Sequence, residues 1–436
     1  MVNWSAVEVT AAGEIPDLAR RVLDGEVFVL RRGLQQAGMF QTMVDATLKG
    51  IAASAGQEVA QSVAQVGFDR IHEFVQPGDL PALTDAVYKL MTPMAGRILG
   101  ALVPCMLPDA GSYYYEQAPN IRFHIPYDLA ARHQREFNKF AGKRGQGKIT
   151  AHGPHRDQWV DCPDNAINVW IAIGPVQEGN SLTVFPEDYH TEFAFEDGYI
   201  ENGVRLHKPL SFQLAAGDAV LFRSNHLHGS ELNRTDRTRF VVSFRVTFGK
   251  PHYPHGHYHH YLHGRLANSP FRALAAIPQN LQASFIRYQF RRIRYKVTGR
   301  GRMTGADSAS AKGGKPVETL SPDGSIAVAD VPVGSIRAVS KQACVARLAE
   351  HEFVALSRYC PHLGGDLTGG WIDKGKVVCP LHSLTFDPET GASPCTSLRA
   401  LRRYPCTVKD GRVHVDVSSG SAPQVAAVGA DALEEV

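Results

Sequence analysis

The chain has 436 residues, 44% of them hydrophobic and 20% charged, with a formal net charge of +3. That length allows about two or three domains with sizeable cores. The charge excess is too small to argue for a nucleic-acid partner, and no run of about eighteen apolar residues is present to span a membrane. Seven cysteines without dense disulfide spacing point to a reducing, cytoplasmic compartment. Met1-Val2-Asn3-Trp4 is not a basic region followed by an apolar run, so no secretory signal is expected.

Residues 1–110 mix helical patterns with short strands. Residues 26–30 (Glu-Val-Phe-Val-Leu) read as a buried strand and residues 35–66 as largely helical. From about residue 120 the pattern becomes β-rich. Residues 167–173 predict a strand with Asn168, Trp170 and Ala172 on one face, and residues 219–222 and 240–244 predict two more. Gly179-Asn180 and Gly217-Asp218 punctuate between them. Residues 251–300 differ. His252, His255, His257, His259, His260 and His263 crowd together. A basic stretch follows, with Arg287, Arg291, Arg292, Arg294 and Lys296 set against an apolar stripe of Leu281, Phe285, Ile286, Phe290, Ile293 and Val297. This predicts a helix with a solvated basic face over a packed stripe; a site for an acidic substrate handle such as a carrier phosphate is the minor reading. Residues 299–315 have linker composition. Short strands resume at 316 and end near 417, and the Ser-, Gly- and Ala-rich residues 418–436 are expected to be a disordered tail.

His155-Arg156-Asp157 lies in the β-rich half. In an extended segment His-x-Asp puts two ligand side chains on the same side, because side chains alternate with period two. A distant histidine would complete a two-His-one-carboxylate facial set, which leaves three iron positions open. His228, just after the strand at 219–222, is the candidate. By itself such a pattern is common on surfaces. Its surroundings resemble the phytanoyl-CoA dioxygenase family of iron(II) and 2-oxoglutarate oxygenases, carried by His155-Arg156-Asp157-Gln158-Trp159, Asn168-Val169-Trp170-Ile171-Ala172, residues 179–186 (Gly-Asn-Ser-Leu-Thr-Val-Phe-Pro) and residues 228–234 (His-Gly-Ser-Glu-Leu-Asn-Arg). That family places an arginine eleven residues after the distal histidine, and Arg239 stands there. The resemblance therefore implies Fe(II) on His155, Asp157 and His228, with 2-oxoglutarate chelating the metal under Arg239 and Ser230 adding a hydroxyl contact. A buried cation suits the far carboxylate of a dianion; read alone, Arg239 could equally be one surface arginine among Arg234, Arg237 and Arg245. Halogenating relatives replace the metal carboxylate with a small residue, so Asp157 implies oxygen insertion or desaturation. One departure is Pro186-Glu187-Asp188-Tyr189-His190, where the family usually has a Pro-Gly-Ser-His turn.

Near the C-terminus, Cys360-Pro361-His362 and Cys379-Pro380-Leu381-His382 are separated by residues 363–378. A Rieske [2Fe–2S] cluster needs two thiolates on one iron and two imidazoles on the other. Cys2His2 is also a zinc set, but zinc fingers group like ligands, whereas each loop here mixes them. The pattern resembles the Rieske ferredoxin family, and Leu363-Gly364-Gly365-Asp366 and Ser383-Leu384-Thr385-Phe386-Asp387 continue the likeness. High-potential members carry two further cysteines, joined as a disulfide, where this chain has Gly365 and Leu381. The resemblance is thus to the low-potential branch. His255 and His260 fit part of the metal motif of ring-hydroxylating Rieske oxygenases, but position 252 is His rather than an acid and those enzymes put the Rieske domain first. The histidine cluster is read as a polar loop.

The expected molecule is mostly β with flanking helices. A double-stranded β-helix (jelly-roll) oxygenase domain covers 1–250, a connector 251–315, a small all-β Rieske domain 316–417 and a tail 418–436. The expected activity is that of a non-haem iron oxygenase coupling 2-oxoglutarate decarboxylation, with O2 as oxidant, to hydroxylation or desaturation of a small-molecule substrate. Cys360, His362, Cys379 and His382 hold the cluster that supplies electrons to the iron. A ferredoxin reductase or another donor is the expected partner, and a homo-oligomer is left open. The competing readings are a reductase-fed oxygenase independent of 2-oxoglutarate and an electron-transfer or redox-sensing protein with a degenerate barrel. Pocket specificity sits in loops and strand ends with no readable code, so the sequence does not name the substrate.

Overall fold

The structure, a computed structural model, describes residues 6–10, 14–106, 112–133, 151–160, 162–196, 199–201, 203–253, 261–264, 320–321, 323–362 and 364–419. His255, His257, His259 and His260, the basic stretch to Val297, the linker at 299–315, Leu363 and the tail beyond 419 lie outside them. The chain divides into two units, residues 1–201 with 208–313, and residues 202–207 with 314–436.

In the first unit an eight-stranded sheet runs in the order Val7–Val9, Phe28–Leu30, Ala219–Arg223, Ala166–Ala172, Arg239–Phe248, Tyr113–Glu116, Tyr261–His263, with Asn120–His124 also paired to Arg239–Phe248. The central strands are buried on both faces, and strand periodicity sorts their side chains. Ile167, Val169 and Ile171, with Phe240, Val242, Phe244 and Val246, pack against a helical layer that supplies Met43, Ile51, Leu83, Val87 and Leu99. Trp170, Ala172, Val220, Phe222 and Val241 point the other way. They meet Leu182, Val184, Phe212 and Leu214 around a smaller sheet ordered His228–Ser230, Leu182–Val184, Leu210–Ser211. Two sheets closed over a side-chain interior, with helices outside, make a jelly-roll.

The helical expectation for 35–66 resolves into Gly33–Gln36, Phe40–Ala55 and Gln57–Val66. Gly56 adopts φ +99°, which L side chains rarely adopt, and separates the last two. Phe40–Ala55 buries Met43, Ala46, Thr47, Gly50 and Ile51, the three-and-four spacing of one helix face. Gly50 permits close packing, since a Cβ there would stand 2.8 Å from Val87 Cγ2. The strand expected at 240–244 is longer, Arg239–Phe248, and this length lets one strand carry several polar side chains into the interior.

The second unit is all β apart from short 3-10 turns. Its sheets are Ser325–Ala327, Arg412–Val415, Cys406–Lys409; then Ile336–Ala338, Ala343–Ala349, Glu352–Ser357, Arg403–Tyr404; then Trp371–Asp373, Lys376–Val378, Thr385–Phe386. Val331, Val339, Val345, Ala355, Val413 and Val415 form its core. No disulfide joins any of the seven cysteines. Among the described residues no helix is long and apolar enough to cross a membrane.

Candidate active site and cluster loops

His155 and His228 face each other as a hydrogen-bonded antiparallel pair. Each donates its backbone N–H to the other's carbonyl at 2.9 Å. Direct cross-strand partners share a face, so the imidazoles lie side by side, with ring centroids 4.4 Å apart. Asp157 opens a 3-10 turn two residues on, its N–H bonded to Ser224 O at 3.1 Å. One ligand atom from each of His155, Asp157 and His228 falls within 4.8 Å of the others.

Backbone carbonyls settle which ring nitrogens are bare. His155 Nδ1 lies 2.8 Å from Gly153 O and His228 Nδ1 lies 2.9 Å from His226 O. A carbonyl only accepts, so each Nδ1 carries the proton and each neutral ring keeps its Nε2 lone pair. Burial, then the neighbouring His228, pushes His155 down to about 3, and burial also lowers His228, so both rings are neutral near pH 7. Burial opposes ionisation of Asp157, but the charge and hydrogen bonds of Arg245 outweigh it and hold the carboxyl well below the usual carboxylate range. Two bare imidazole nitrogens and an ionised carboxylate are the donor set that a divalent iron takes.

Asp157 is strongly held. Arg245 donates through Nη2 to Oδ1 at 2.7 Å and through Nε to Oδ2 at 3.2 Å, and Asn168 Nδ2 reaches Oδ2 at 2.7 Å. Arg245 Nη1 also bonds Glu116 at 2.8 Å. Sequence reasoning named Arg245 only as a surface arginine, yet its side chain is 14% exposed and its guanidinium lies in the interior. Its signal was strand parity, since it shares a face of Arg239–Phe248 with Arg239, Val241 and Ser243.

Arg239 is 1% exposed. Its guanidinium donates to Asn180 O at 2.8 Å, Ser181 O at 3.0 Å and Ser230 Oγ at 3.1 Å, and sits 5.4 Å from the Trp170 ring. Its Nε has no partner, and no ion pair to it occurs among the described residues. Burial, then repulsion from Arg122, lowers it to about 9, only partly opposed by Glu231. A cavity lined by His155, Asp157, His228, Trp170, Phe222 and Ser230 opens beside these groups. The turn at Pro186–Asp188 is held by Arg156, which donates to the carbonyls of Asp188, Tyr189 and Thr191. Of the histidine cluster, His252 and His263 lie among the described residues: His252 pairs with Asp164 at 2.9 Å, and His263 Nε2 lies 3.0 Å from Ser112 Oγ.

The two cysteine loops repeat one backbone design. Cys360 N–H donates to Gly365 O and Gly364 N–H to Cys360 O; Cys379 N–H donates to Leu384 O and Ser383 N–H to Cys379 O. The fourth residue after each cysteine is left-handed, Gly364 at φ +72° and Ser383 at φ +55°. The loops bring the Cys360 and Cys379 thiols into hydrogen-bond contact, which with burial raises the Cys379 thiol. They also bring the rings of His362 and His382 to 4.9 Å between centroids. Burial lowers His362 to about 4, and burial plus His362 lowers His382 to about 3. Two thiols in contact and two neutral imidazoles side by side, one of each from either loop, fit the ligand set of a Rieske cluster. A Cβ on Gly365 would stand 2.9 Å from both Cys379 Sγ and Leu381 Cδ1, so the two positions that carry extra cysteines in high-potential relatives adjoin here without them.

Comparison with known proteins agrees with this division. Residues 112–241 match the Phytanoyl-CoA dioxygenase (PhyH) family and residues 325–406 the Rieske [2Fe-2S] domain. The chain is 33% identical over 94 residues to the 3-phenylpropionate/cinnamic acid dioxygenase ferredoxin subunit of Photorhabdus laumondii, covering 21% of this chain and 90% of that protein. It is 32% identical over 97 residues to the anthranilate 1,2-dioxygenase ferredoxin subunit of Burkholderia cepacia, covering 20% and 90%. Among solved structures, the alpha ketoglutarate dependent carbocyclase SnoK from nogalamycin biosynthesis is 14% identical, over 55% of this chain and 86% of that one, with a TM-score of 0.30. The PhyH domain implies Fe(II), 2-oxoglutarate and O2, and the Rieske domain a [2Fe–2S] cluster. The chain thus belongs to the Rieske [2Fe–2S] proteins through its C-terminal part and carries a PhyH oxygenase domain before it, which makes it a non-haem iron oxygenase with a Rieske domain of its own.

Proposed function

We propose that the chain oxidises a C–H bond of a small-molecule substrate, by hydroxylation or desaturation, with 2-oxoglutarate as the two-electron co-reductant. His155, Asp157 and His228 hold the iron, Arg239 and Ser230 hold the far carboxylate of 2-oxoglutarate, and Cys360, His362, Cys379 and His382 hold the cluster. The oxygenase domain covers residues 1–250 and the Rieske domain 316–417. When bound, Fe(II) supplies the activation of O2, while 2-oxoglutarate leaves as succinate and carbon dioxide. The chain positions the reactants and excludes water. His155 and His228 present Nε2 because their Nδ1 protons are committed to Gly153 and His226. Trp170 and Phe222 give the cavity apolar walls.

One observation carries the 2-oxoglutarate reading. Arg239 is a fully buried cation whose nitrogens meet only neutral oxygens, with Nε left over. A buried charge without a counterion is costly, and a dianionic cosubstrate would supply the carboxylate. The cluster's proposed role is to return iron that has drifted to Fe(III) to the ferrous state, with electrons from a ferredoxin reductase or similar donor. The likeness of this domain to dioxygenase ferredoxin subunits supports an electron-carrying role.

Four outcomes are expected. His155→Ala or Asp157→Ala abolishes turnover and metal binding at this site, while the EPR signal of the reduced cluster persists; near-normal activity of Asp157→Ala would remove the triad assignment. The cluster, lacking the extra cysteine pair, titrates near the low end of the Rieske range, at about −150 mV, and a midpoint above zero contradicts that. Arg239→Gln loses a charge-assisted pair of about 1.5–3 kcal/mol, so the KM for 2-oxoglutarate rises on the order of 10- to 100-fold, with Mn(II) affinity unchanged. Succinate formation with an unaltered KM points instead to another anion site, and no succinate at all from the wild type favours the reductase-fed reading. Finally, Cys360→Ser leaves the first turnover of pre-reduced enzyme nearly unchanged and then decays within a few cycles, with ascorbate restoring activity. Rapid quench decides it, since a folded, iron-loaded variant without first-turnover product puts the cluster inside the productive cycle.

A further inference from the structure

An ionised carboxylate offers about four acceptor positions, two on each oxygen. On Asp157 three are already filled by protein donors. Oδ2 accepts Asn168 Nδ2 at 2.7 Å and shares the single Arg245 Nε–H, at 3.2 Å, with Asn168 Oδ1, while Oδ1 accepts Arg245 Nη2 at 2.7 Å. These donors are not adaptable surface groups. Arg245 is fixed from behind by Glu116 at 2.8 Å, and its Nε also bonds Asn168 Oδ1 at 3.1 Å, so fork and amide hold each other. The strand register explains the meeting, because Asn168 and Arg245 are direct partners across the Ala166–Ala172 and Arg239–Phe248 pair.

We propose that Arg245 is the positioning residue of the metal site: with Asn168 it puts two donors on Oδ2, one of them shared, and one on Oδ1, and so holds the carboxylate to ligation through one oxygen. The consequence is coordination space. A facial triad leaves three positions open only if the carboxylate takes one. A chelating aspartate would take a position needed by 2-oxoglutarate or by O2. The proposal rests on the reading of His155, Asp157 and His228 as the metal site.

The test uses the full chain with its cluster oxidised and therefore EPR-silent. Mn(II) binding is followed by EPR of the free ion, and open positions on Fe(II) by the EPR line shape of its nitric oxide adduct. Arg245→Lys keeps the charge opposite Glu116 and Asp157 but presents a point donor instead of a fork. It is expected to weaken Mn(II) binding by about 10- to 100-fold, the usual loss when an outer partner of a ligand is removed, and to change the nitrosyl line shape. Should Arg245→Lys not fold, Asn168→Ala asks the same question, because it also frees Oδ2, and a fall in affinity is expected again. Wild-type affinity and line shape in a folded Arg245→Lys or Asn168→Ala variant overturn the proposal. Tighter Mn(II) binding overturns it as well, by showing that the guanidinium acts as a competing cation. Asp157→Ala separates the two levels of argument. If it binds Mn(II) like the wild type, the triad reading fails; if it does not bind while Arg245→Lys behaves as wild type, only the role of Arg245 fails.

Discussion

Two backbone hydrogen bonds between His155 and His228 set the geometry of the candidate metal site. They fix a register in which two residues 73 positions apart in the chain present their rings to the same point. Side chains alternate along a strand, so a slip of one residue would turn one ring away from the interior. In the larger sheet, burial holds the register. Ile167, Val169 and Ile171 on one strand and Phe240, Val242 and Phe244 on another must face the helical layer, and their alternates, Asn168, Trp170, Val241, Ser243 and Arg245, are thereby committed to the barrel interior. Apolar packing on one face of the sheet sets the polar chemistry on the other.

That interior contains Asp157, Glu116, Arg239 and Arg245, all buried or nearly so. Desolvating such charges costs several kcal/mol each unless they are paired and well hydrogen-bonded. The chain meets this cost unevenly. Arg245 has two carboxylates and an amide around it, whereas Arg239 has two carbonyls, a hydroxyl and an aromatic face. The contrast separates a cation whose partners are built into the fold from one whose counterion would arrive as a ligand.

What the sequence made legible follows the same physics. Both metal motifs are local: His-x-Asp, Cys-x-His and Cys-x-x-His set ligand spacing within a few residues, and the strands at 167–173 and 240–244 show their period directly. The jelly-roll and the Rieske fold were therefore readable from resemblance and pattern together. The supports of Asp157 were not, because Arg245, Asn168 and Glu116 meet only through long-range strand pairing. An arginine among several in a strand carries no mark of being buried unless its parity is compared with that of its neighbours. The helix boundary at Gly56 was missed for a different reason, since apolar spacing continues through a glycine whose φ of +99° ends one helix and starts another.

The two candidate metal sites meet one ligand problem in the same way. A histidine near neutral pH is poised between charged and bare forms, and each site keeps it bare by burial: His155 and His382 are both lowered to about 3. Their electron arithmetic differs. A [2Fe–2S] cluster passes one electron at a time, whereas C–H oxidation with loss of carbon dioxide from 2-oxoglutarate is balanced in pairs. A one-electron donor therefore adds nothing to a balanced cycle but can reverse a one-electron fault, the drift of Fe(II) to Fe(III). On the proposed reading, a cluster without the extra cysteine pair would stand at the low-potential end of its class and suit that reduction, and so Gly365 and Leu381 would bear on function alongside the ligands.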